Sequence, residues 1–163
     1  ADFYELTQEL TAAAGLPAYE ISNHARPGQE SEHNMLYWRY GEYAGIGPGA
    51  HGRLMINNQR HATADEKLPF EWQKHVLAKG HGMVVDDVLT WEEQGDEFLV
   101  MGLRLKEGIS PARFTALSGR QINPAQIAAL KGYGFVETLP NGNLRVTDRG
   151  WPVLDAVVAD LAA

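Results

Sequence analysis

The chain has 163 residues, 44% of them apolar, and a net charge of −7 at pH 7. This length allows one domain, or a smaller domain with a piece of another attached, and no apolar run reaches the roughly 18 to 20 residues that span a bilayer. The negative charge disfavours nucleic acid and anionic lipid as partners, and the absence of cysteine excludes disulfides, thiolate zinc sites and cysteine nucleophiles.

From the first residues we expect no targeting signal in this chain. Its first residues lack the basic start and the long apolar stretch of a signal peptide, so we expect a cytoplasmic protein. Because the first residue is not Met, we also expect the chain to have been cut from something longer.

The first elements along the chain are predicted to be a helix and a short strand. Apolar residues recur at helical spacing over residues 2–14, and Gly15 follows as a stop signal. Residues 16–22 form a short run bounded by Gly and Asn, which is typical of a strand. A helix followed at once by a strand indicates the end of an α/β architecture whose earlier units are missing.

A polar loop over residues 23–32 leads to a stretch of mixed chemistry, residues 33–51. The stretch combines two imidazoles, a run of aromatic residues and several glycines, a mixture that an ordinary core segment does not need. An imidazole such as that of His33 is a good axial ligand for a haem iron, and Tyr37 and Trp38 offer flat apolar faces to a macrocycle or a base. We therefore predict a binding site in residues 33–51.

His33 has two interpretations from residue chemistry alone. It is either a loop histidine that bonds a backbone carbonyl, or a ligand that acts with Asn34, Tyr37 and Trp38. If the stretch is helical, His33 and Tyr37 share a face, because residues four apart lie above one another. The residues by themselves leave the two interpretations about equal.

The glycine-rich stretch over residues 45–50 is a weaker candidate for a site. Its spacing fits neither the dinucleotide-binding motif nor the P-loop, which needs a Lys after the last Gly. It is either a strand that turns sharply under close packing, or the backbone edge of an adenosyl or macrocycle pocket. We expect a buried strand over residues 43–51 that ends in the glycine turn, and a loop over residues 53–65.

The next elements are predicted to be helices. Residues 68–79 have one apolar face and end before Gly80, which predicts a helix. Thr90 and Glu93 form a capping box, and the helix that begins there is expected to end at Gly108.

The last part of the chain has a winged-helix pattern. Residues 110–119 and 123–132 each carry a cap, a Pro at the first helical position and a terminal Gly, so both are predicted helices. An Asn-Gly pair between alternating runs predicts a hairpin over residues 135–147, and a closing helix is expected over residues 150–161. The boundary with the first part is predicted near residues 81–89.

A winged helix raises DNA binding as an alternative function. Residues 85–163 contain eleven acidic and seven basic residues, and the candidate recognition helix over residues 124–131 has one cation. A DNA reader gathers Lys and Arg on that element, so we expect a protein-facing cover instead. The six histidines include no pair at the helical spacing of metal ligands and have no Cys partners, so a zinc site is not expected.

Several segments resemble one protein family. They are YEISNHARPG at 19–28, HNMLYW at 33–38 and YAGIGPGAH at 43–51, and LRLKEGI at 103–109 and the hairpin region are similar to the C-terminal domain of the same family. The chain resembles the HemW family of radical SAM proteins, haem chaperones that are similar to oxygen-independent coproporphyrinogen III oxidases. The resemblance covers nearly the whole chain.

The resemblance implies a mixed α/β fold that is the C-terminal part of such a protein. Residues 1–84 would be the last units of a partial (β/α) radical SAM barrel, and residues 85–163 a small winged-helix-like C-terminal domain. In the family an N-terminal three-cysteine motif holds a [4Fe-4S] cluster to which SAM binds. This chain has no cysteine, so it departs from the family there and is expected neither to bind that cluster nor to perform radical chemistry.

The resemblance also implies site residues. In the family the H-N-x-x-Y-W motif is associated with haem binding, with the His as the iron ligand; here these residues are His33, Asn34, Tyr37 and Trp38. Coproporphyrinogen oxidases lack the motif, so its presence favours the chaperone.

A second, smaller set of residues is implied at the glycine-rich stretch. Ala50 and His51 would correspond to the barrel edge near SAM. The implied function is to take up haem and pass it to acceptor proteins, and the alternative is SAM-dependent decarboxylation of coproporphyrinogen III. The implied partners are haem, its acceptor proteins and the N-terminal radical SAM domain of the same protein, while a homodimer through unpaired barrel edges stays open.

Overall fold

The computed structural model describes residues 2–163, which form two compact units. One unit comprises the chain up to Tyr40 together with Trp91–Ala163, and the other comprises Gly41–Thr90. The predicted division into residues 1–84 and 85–163 stays a prediction. Within the described residues, no helix has the length and apolar character that crossing a membrane requires.

The chain alternates between helices and short antiparallel strands. In chain order the elements are helix α1 (Asp2–Ala13), helix α2 (Glu32–Trp38), strands β1 (His51–Ile56) and β2 (Gln59–Asp65), helix α3 (Pro69–Lys79), strand β3 (Met83–Val88), helices α4 (Trp91–Gly102), α5 (Pro111–Ser118) and α6 (Pro124–Gly132), strands β4 (Val136–Thr138) and β5 (Leu144–Val146), a 3₁₀ turn (Trp151–Val153) and helix α7 (Leu154–Ala162). The helices predicted over residues 2–14, 68–79, 110–119, 123–132 and 150–161 are confirmed.

Local capping signals set the helices of the first unit. The hydroxyl of Ser110 accepts a hydrogen bond from the Arg113 N–H at 3.3 Å, and α5 ends at Gly119 with φ 69°. Asn123 caps α6 in the same way, since its side-chain oxygen accepts from the Ala125 N–H at 2.9 Å. Side-chain caps at the start of both helices, and the left-handed glycine at the end of α5, are the signals that made them predictable.

The first unit contains the hydrophobic core. Helix α4 supplies Phe98 and Leu99 to it, and α5 and α6 contribute Phe114 and Leu130. The remaining buried members come from the segments before Tyr40 and from the C-terminal part: Ala18, Tyr40, Leu103, Ile109, Ile122, Val136, Leu144, Val146, Trp151, Leu154, Val157 and Leu161. Burial of this apolar surface is the main term that stabilises the unit.

The hairpin and the helices around it match the predicted winged-helix pattern. Strand β4 pairs antiparallel with β5, and Gly142 in the turn between them has φ 86°. The Leu144 N–H and carbonyl also bond the backbone of Ile109 at 2.9 and 2.8 Å. These bonds join the hairpin to the segment between α4 and α5.

The second unit is a three-stranded antiparallel sheet with helix α3. The strand order is β1-β2-β3, and α3 lies between β2 and β3 in the chain. Asn57 and Asn58 join β1 to β2, and both have positive φ, 50° and 62°. Two left-handed residues in a two-residue loop are the hairpin geometry that suits strand twist.

Two expectations for this unit are wrong. The loop expected over residues 53–65 is a β-hairpin, and its turn lacks the glycine that would have signalled it. The strand expected over residues 43–51 is a loop in which Tyr43 makes one bridge, to Arg53, and strand β1 begins only at His51.

Two expectations for the first unit also fail. Residues 16–22 make isolated bridges and no strand, because the Glu20 carboxylate accepts bonds from the Ser22 N–H and the Asn23 amide and so turns the chain. Helix α4 ends at Gly102 and not at Gly108, because Leu105 forms a bridge with Glu20 and leaves the helical path.

Candidate functional site

The predicted motif lies on helix α2. Ser31 caps this helix, since its hydroxyl accepts a hydrogen bond from the Asn34 N–H at 3.3 Å, and Glu32 places a negative charge in the first turn. A helix of seven residues is marginal by itself. Contacts with the rest of the first unit must therefore hold it in place.

Two members of the motif supply such contacts. The amide of Asn34 donates a hydrogen bond to the Tyr19 hydroxyl at 3.1 Å. The Arg104 guanidinium lies over the indole of Trp38, 5.1 Å from the ring centre. Trp38 also meets Tyr37 edge-on, with ring centroids 4.9 Å apart. Asn34 and Trp38 thus fasten one face of the helix.

His33 lies on another face of α2 and is exposed. Tyr37 is one turn further on and half-buried, so the imidazole and the phenol share a face. No aliphatic shell seals the imidazole off from solvent. An accessible nitrogen ligand beside aromatic surface fits one axial position of a haem iron.

A third face of α2 borders a cavity of about 660 Å³. Met35, Leu36 and Arg39 line it, and His33 does not. Arg39 makes two hydrogen bonds to the Glu107 carboxylate, at 2.7 and 2.6 Å, and these bonds raise the pKa of Arg39. Sequence spacing gives no signal for this cavity, because Arg39 and Glu107 are 68 positions apart in the chain.

The rim of this cavity also holds acidic groups. Backbone N–H groups of Glu30 and Gly28 hydrogen-bond the Glu30 carboxylate and lower its pKa, so Glu30 is ionised at neutral pH. Glu32 and Glu107 line the cavity beside Arg39 and Lys106. The cavity walls therefore carry both signs of charge.

The glycine-rich stretch belongs to the second unit. The N–H of Asp65 donates to the Ala50 carbonyl at 2.8 Å, and His51 is exposed at the start of β1. A Cβ on Gly45 would lie 2.5 Å from the His51 carbonyl oxygen, so only a glycine lets the backbone pass there. The close approach of Gly45 to the His51 carbonyl is the close packing of a turn. The predicted contacts of Ala50 and His51 with SAM stay predictions.

The residues present do not fit a metal cluster. Across residues 2–163, no three side chains of the His, Asp and Glu type converge on a point where they could hold a metal ion. An iron–sulfur cluster is held by thiolates, and the sequence has no cysteine to supply them.

Comparison with known proteins identifies similar chains. Residues 89–153 match the family model described as the HemN C-terminal domain. "Radical S-adenosyl methionine domain-containing protein 1, mitochondrial" of Danio rerio is 35% identical over 97% of this chain and 38% of its own length. "Heme chaperone HemW" of Bacillus subtilis is 36% identical over 80% of this chain and 34% of its own length. The chain thus spans less than half the length of the curated relatives that it matches.

A solved structure supports the fold. It is described as coproporphyrinogen III oxidase (HemN) from Escherichia coli, a radical SAM enzyme, and it matches with a TM-score of 0.70. The match covers 99% of this chain and 40% of that chain at 14% identity. This likeness confirms the expected mixed α/β fold class.

Proposed function

This chain belongs to the HemW family of radical SAM proteins and corresponds to its C-terminal part, and from that membership we propose that it carries the haem site of a haem chaperone. The whole protein would take up haem and pass it to acceptor proteins. The observation that supports this most is His33, an exposed imidazole on a helix that Asn34 and Trp38 fasten from another face.

Each motif residue has a role in the proposal. His33 would hold the haem iron through a ring nitrogen, and Tyr37 on the same face would offer ring surface to the porphyrin. Asn34 and Trp38 act as positioning residues, since they fix the helix that carries the imidazole. A single axial ligand at the surface suits a protein that must release its cargo, because a second protein can reach the iron.

The whole protein is proposed to bring further groups. A [4Fe-4S] cluster would be held by residues outside this chain, in an N-terminal radical SAM domain, because the 163 residues contain no cysteine, and SAM would bind to that cluster. Ala50 and His51 are proposed to contact SAM at the edge of the partial barrel, which residues 1–84 are predicted to form. A cytoplasmic location and a homodimer remain predictions from the sequence.

The alternative function is oxidation of coproporphyrinogen III by the whole protein. It rests on the likeness to Escherichia coli HemN, and at 14% identity that likeness carries the fold alone. Relatives named as haem chaperones are 31 to 46% identical over the parts that they share with this chain. The chaperone is therefore the better supported function.

A haem titration followed by absorbance tests the proposal. We expect the protein to bind haem with the spectrum of an iron–imidazole complex, and His33→Ala to lose that spectrum and at least about tenfold in affinity, the effect of about 1.4 kcal/mol. His81→Ala is the matched control, since His81 is another exposed histidine, and it should leave both unchanged.

Rescue by free imidazole sharpens the test. Imidazole added to haem-loaded His33→Ala should restore the iron–nitrogen spectrum, because it occupies the vacated axial position. Equal haem affinity and equal spectra for the protein and its His33→Ala variant would overturn the proposal.

A further inference from the structure

A second cavity, of about 680 Å³, lies in the first unit, and residues of helix α1 form part of its wall. Its walls are largely apolar, with Ile21, Pro152 and the ring of Trp151 among them. Tyr4 on α1, His24 and Arg104 place polar groups on the same walls. Apolar walls with a few converging polar groups are typical of a small-molecule site.

Three residues that line the cavity each have a buried polar atom without a hydrogen-bond partner in the described part of the chain. These atoms are the Tyr4 hydroxyl oxygen, the His24 Nε2 and the Trp151 Nε1. Trp151 is only 3% exposed, and an indole N–H can donate but not accept. Because leaving a buried donor unpaired costs free energy, the Trp151 N–H indicates an acceptor that comes from outside the chain.

Arg104 adds a positive charge to this cavity. Its guanidinium is half-buried and lies over the Trp38 ring, and among residues 2–163 no carboxylate forms an ion pair with it. A planar guanidinium matches a carboxylate through two parallel hydrogen bonds.

The negative groups of this region act on Tyr4. Burial, with the charges of Asp148 and Glu20, raises the pKa of Tyr4 to about 12, so its hydroxyl stays neutral and able to donate. Glu5 also lines the cavity but is exposed. An anion in this cavity is favoured at the Arg104 guanidinium and opposed at Tyr4 by these acidic charges.

We propose that this cavity binds a carboxylate group carried on an apolar body. Arg104 pairs with the carboxylate, and the N–H of Trp151 donates to a ligand oxygen. The carboxylate has two possible sources. One is a propionate of haem, since Arg104 lies over Trp38 of the motif that is proposed to bind haem. The other is a separate apolar acid. The first source rests on the proposed function, and the second does not.

Calorimetric titration with sodium dodecanoate, below its micelle concentration, tests the proposal, with dodecan-1-ol as the neutral probe. We expect dodecanoate to bind more tightly than the alcohol, and Arg104→Gln to weaken dodecanoate binding about tenfold without affecting the alcohol. Arg149→Gln is the matched control, since that guanidinium also lies over a ring, Phe135, outside this cavity. Trp151→Phe keeps a ring but removes the N–H and should weaken dodecanoate binding several-fold.

A second titration identifies the source, with haem and haem dimethyl ester as probes. If the protein prefers haem and Arg104→Gln abolishes that preference, the carboxylate is a propionate of haem. If Arg104→Gln weakens only dodecanoate, the cavity binds a separate acid. If Arg104→Gln changes neither the dodecanoate affinity nor the preference for haem, the inference is overturned. The iron–imidazole spectrum of the unsubstituted protein and of its His33→Ala variant tests the proposed function separately, because neither measurement changes Arg104.

Discussion

The core of the first unit draws its residues from α4, α5, α6, α7 and the β4–β5 hairpin, while Gly41–Thr90 contributes none of the described core residues. In that second unit the buried residues are Arg60, Thr63 and two glycines, whereas apolar side chains such as Val84 are exposed. The first unit is therefore stabilised by side-chain burial, and the second mainly by the hydrogen bonds of its sheet. Such a difference predicts that the same kind of substitution has unequal effects in the two units.

The largest effect is expected from truncation in the core. Leu99→Ala removes a side chain that is 0% exposed and should lower the free energy of unfolding by about 3 kcal/mol. The control Val84→Ala, at a side chain that is 50% exposed, should cost less than about 0.5 kcal/mol. Urea denaturation of both variants measures these losses in the free energy of unfolding, and the fluorescence of Trp72 reports on the second unit. Equal losses would remove the contrast between the units.

An intermediate effect is expected where backbone segments pass closely. Gly45→Ala would place a Cβ 2.5 Å from the His51 carbonyl oxygen, so the turn must shift, at a cost of about 1–3 kcal/mol. Hydrogen exchange of the Arg53 N–H, which bonds the Tyr43 carbonyl at 2.8 Å, should become faster. Gly132→Ala is the control, because a Cβ there meets nothing within 4 Å. Unchanged exchange in Gly45→Ala would contradict the close approach.

The smallest effect is expected at the surface ion pairs, where the units should not differ. Glu107→Gln breaks the pair with Arg39 in the first unit, and Glu71→Gln breaks the pair with Lys74 in the second. Each should cost less than about 1 kcal/mol, because the charged groups remain in contact with water. The loss in the free energy of unfolding should be smaller in about 1 M salt than in low salt, because salt screens the attraction between the charges. A loss above about 2 kcal/mol for either variant would mark that pair as structural.

The same contrast explains which elements the sequence could predict. The helices of the first unit carry local signals, such as the caps Ser110 and Asn123, and an apolar face that follows the core. Strand β2 has no such face, since Arg60 and Thr63 are its buried residues, so hydrophobic alternation did not mark it as a strand. The turn at Asn57 and Asn58 also uses two asparagines where a glycine is the usual signal.

The candidate site was predictable only along one helix. Helical spacing put His33 and Tyr37 on one face, and the helix at Glu32–Trp38 confirms that placement. The partners that hold this helix come from elsewhere in the chain: Tyr19 bonds Asn34, and Arg104 lies on Trp38. Contacts between residues so far apart depend on the packing of the whole unit, and spacing does not encode them.

The shortness of α2 links ligand binding to the order of the helix itself. The imidazole of His33 lies in the first turn, where the Met35 N–H bonds the Ser31 carbonyl at 2.9 Å, and that turn unwinds at low cost in so short a helix. A ligand that binds the imidazole only when this turn is helical shifts the equilibrium toward the helix by mass action. The hydrogen-exchange rates of the amides in this turn would then report whether a ligand is bound: slow exchange with the ligand bound and fast exchange after its release.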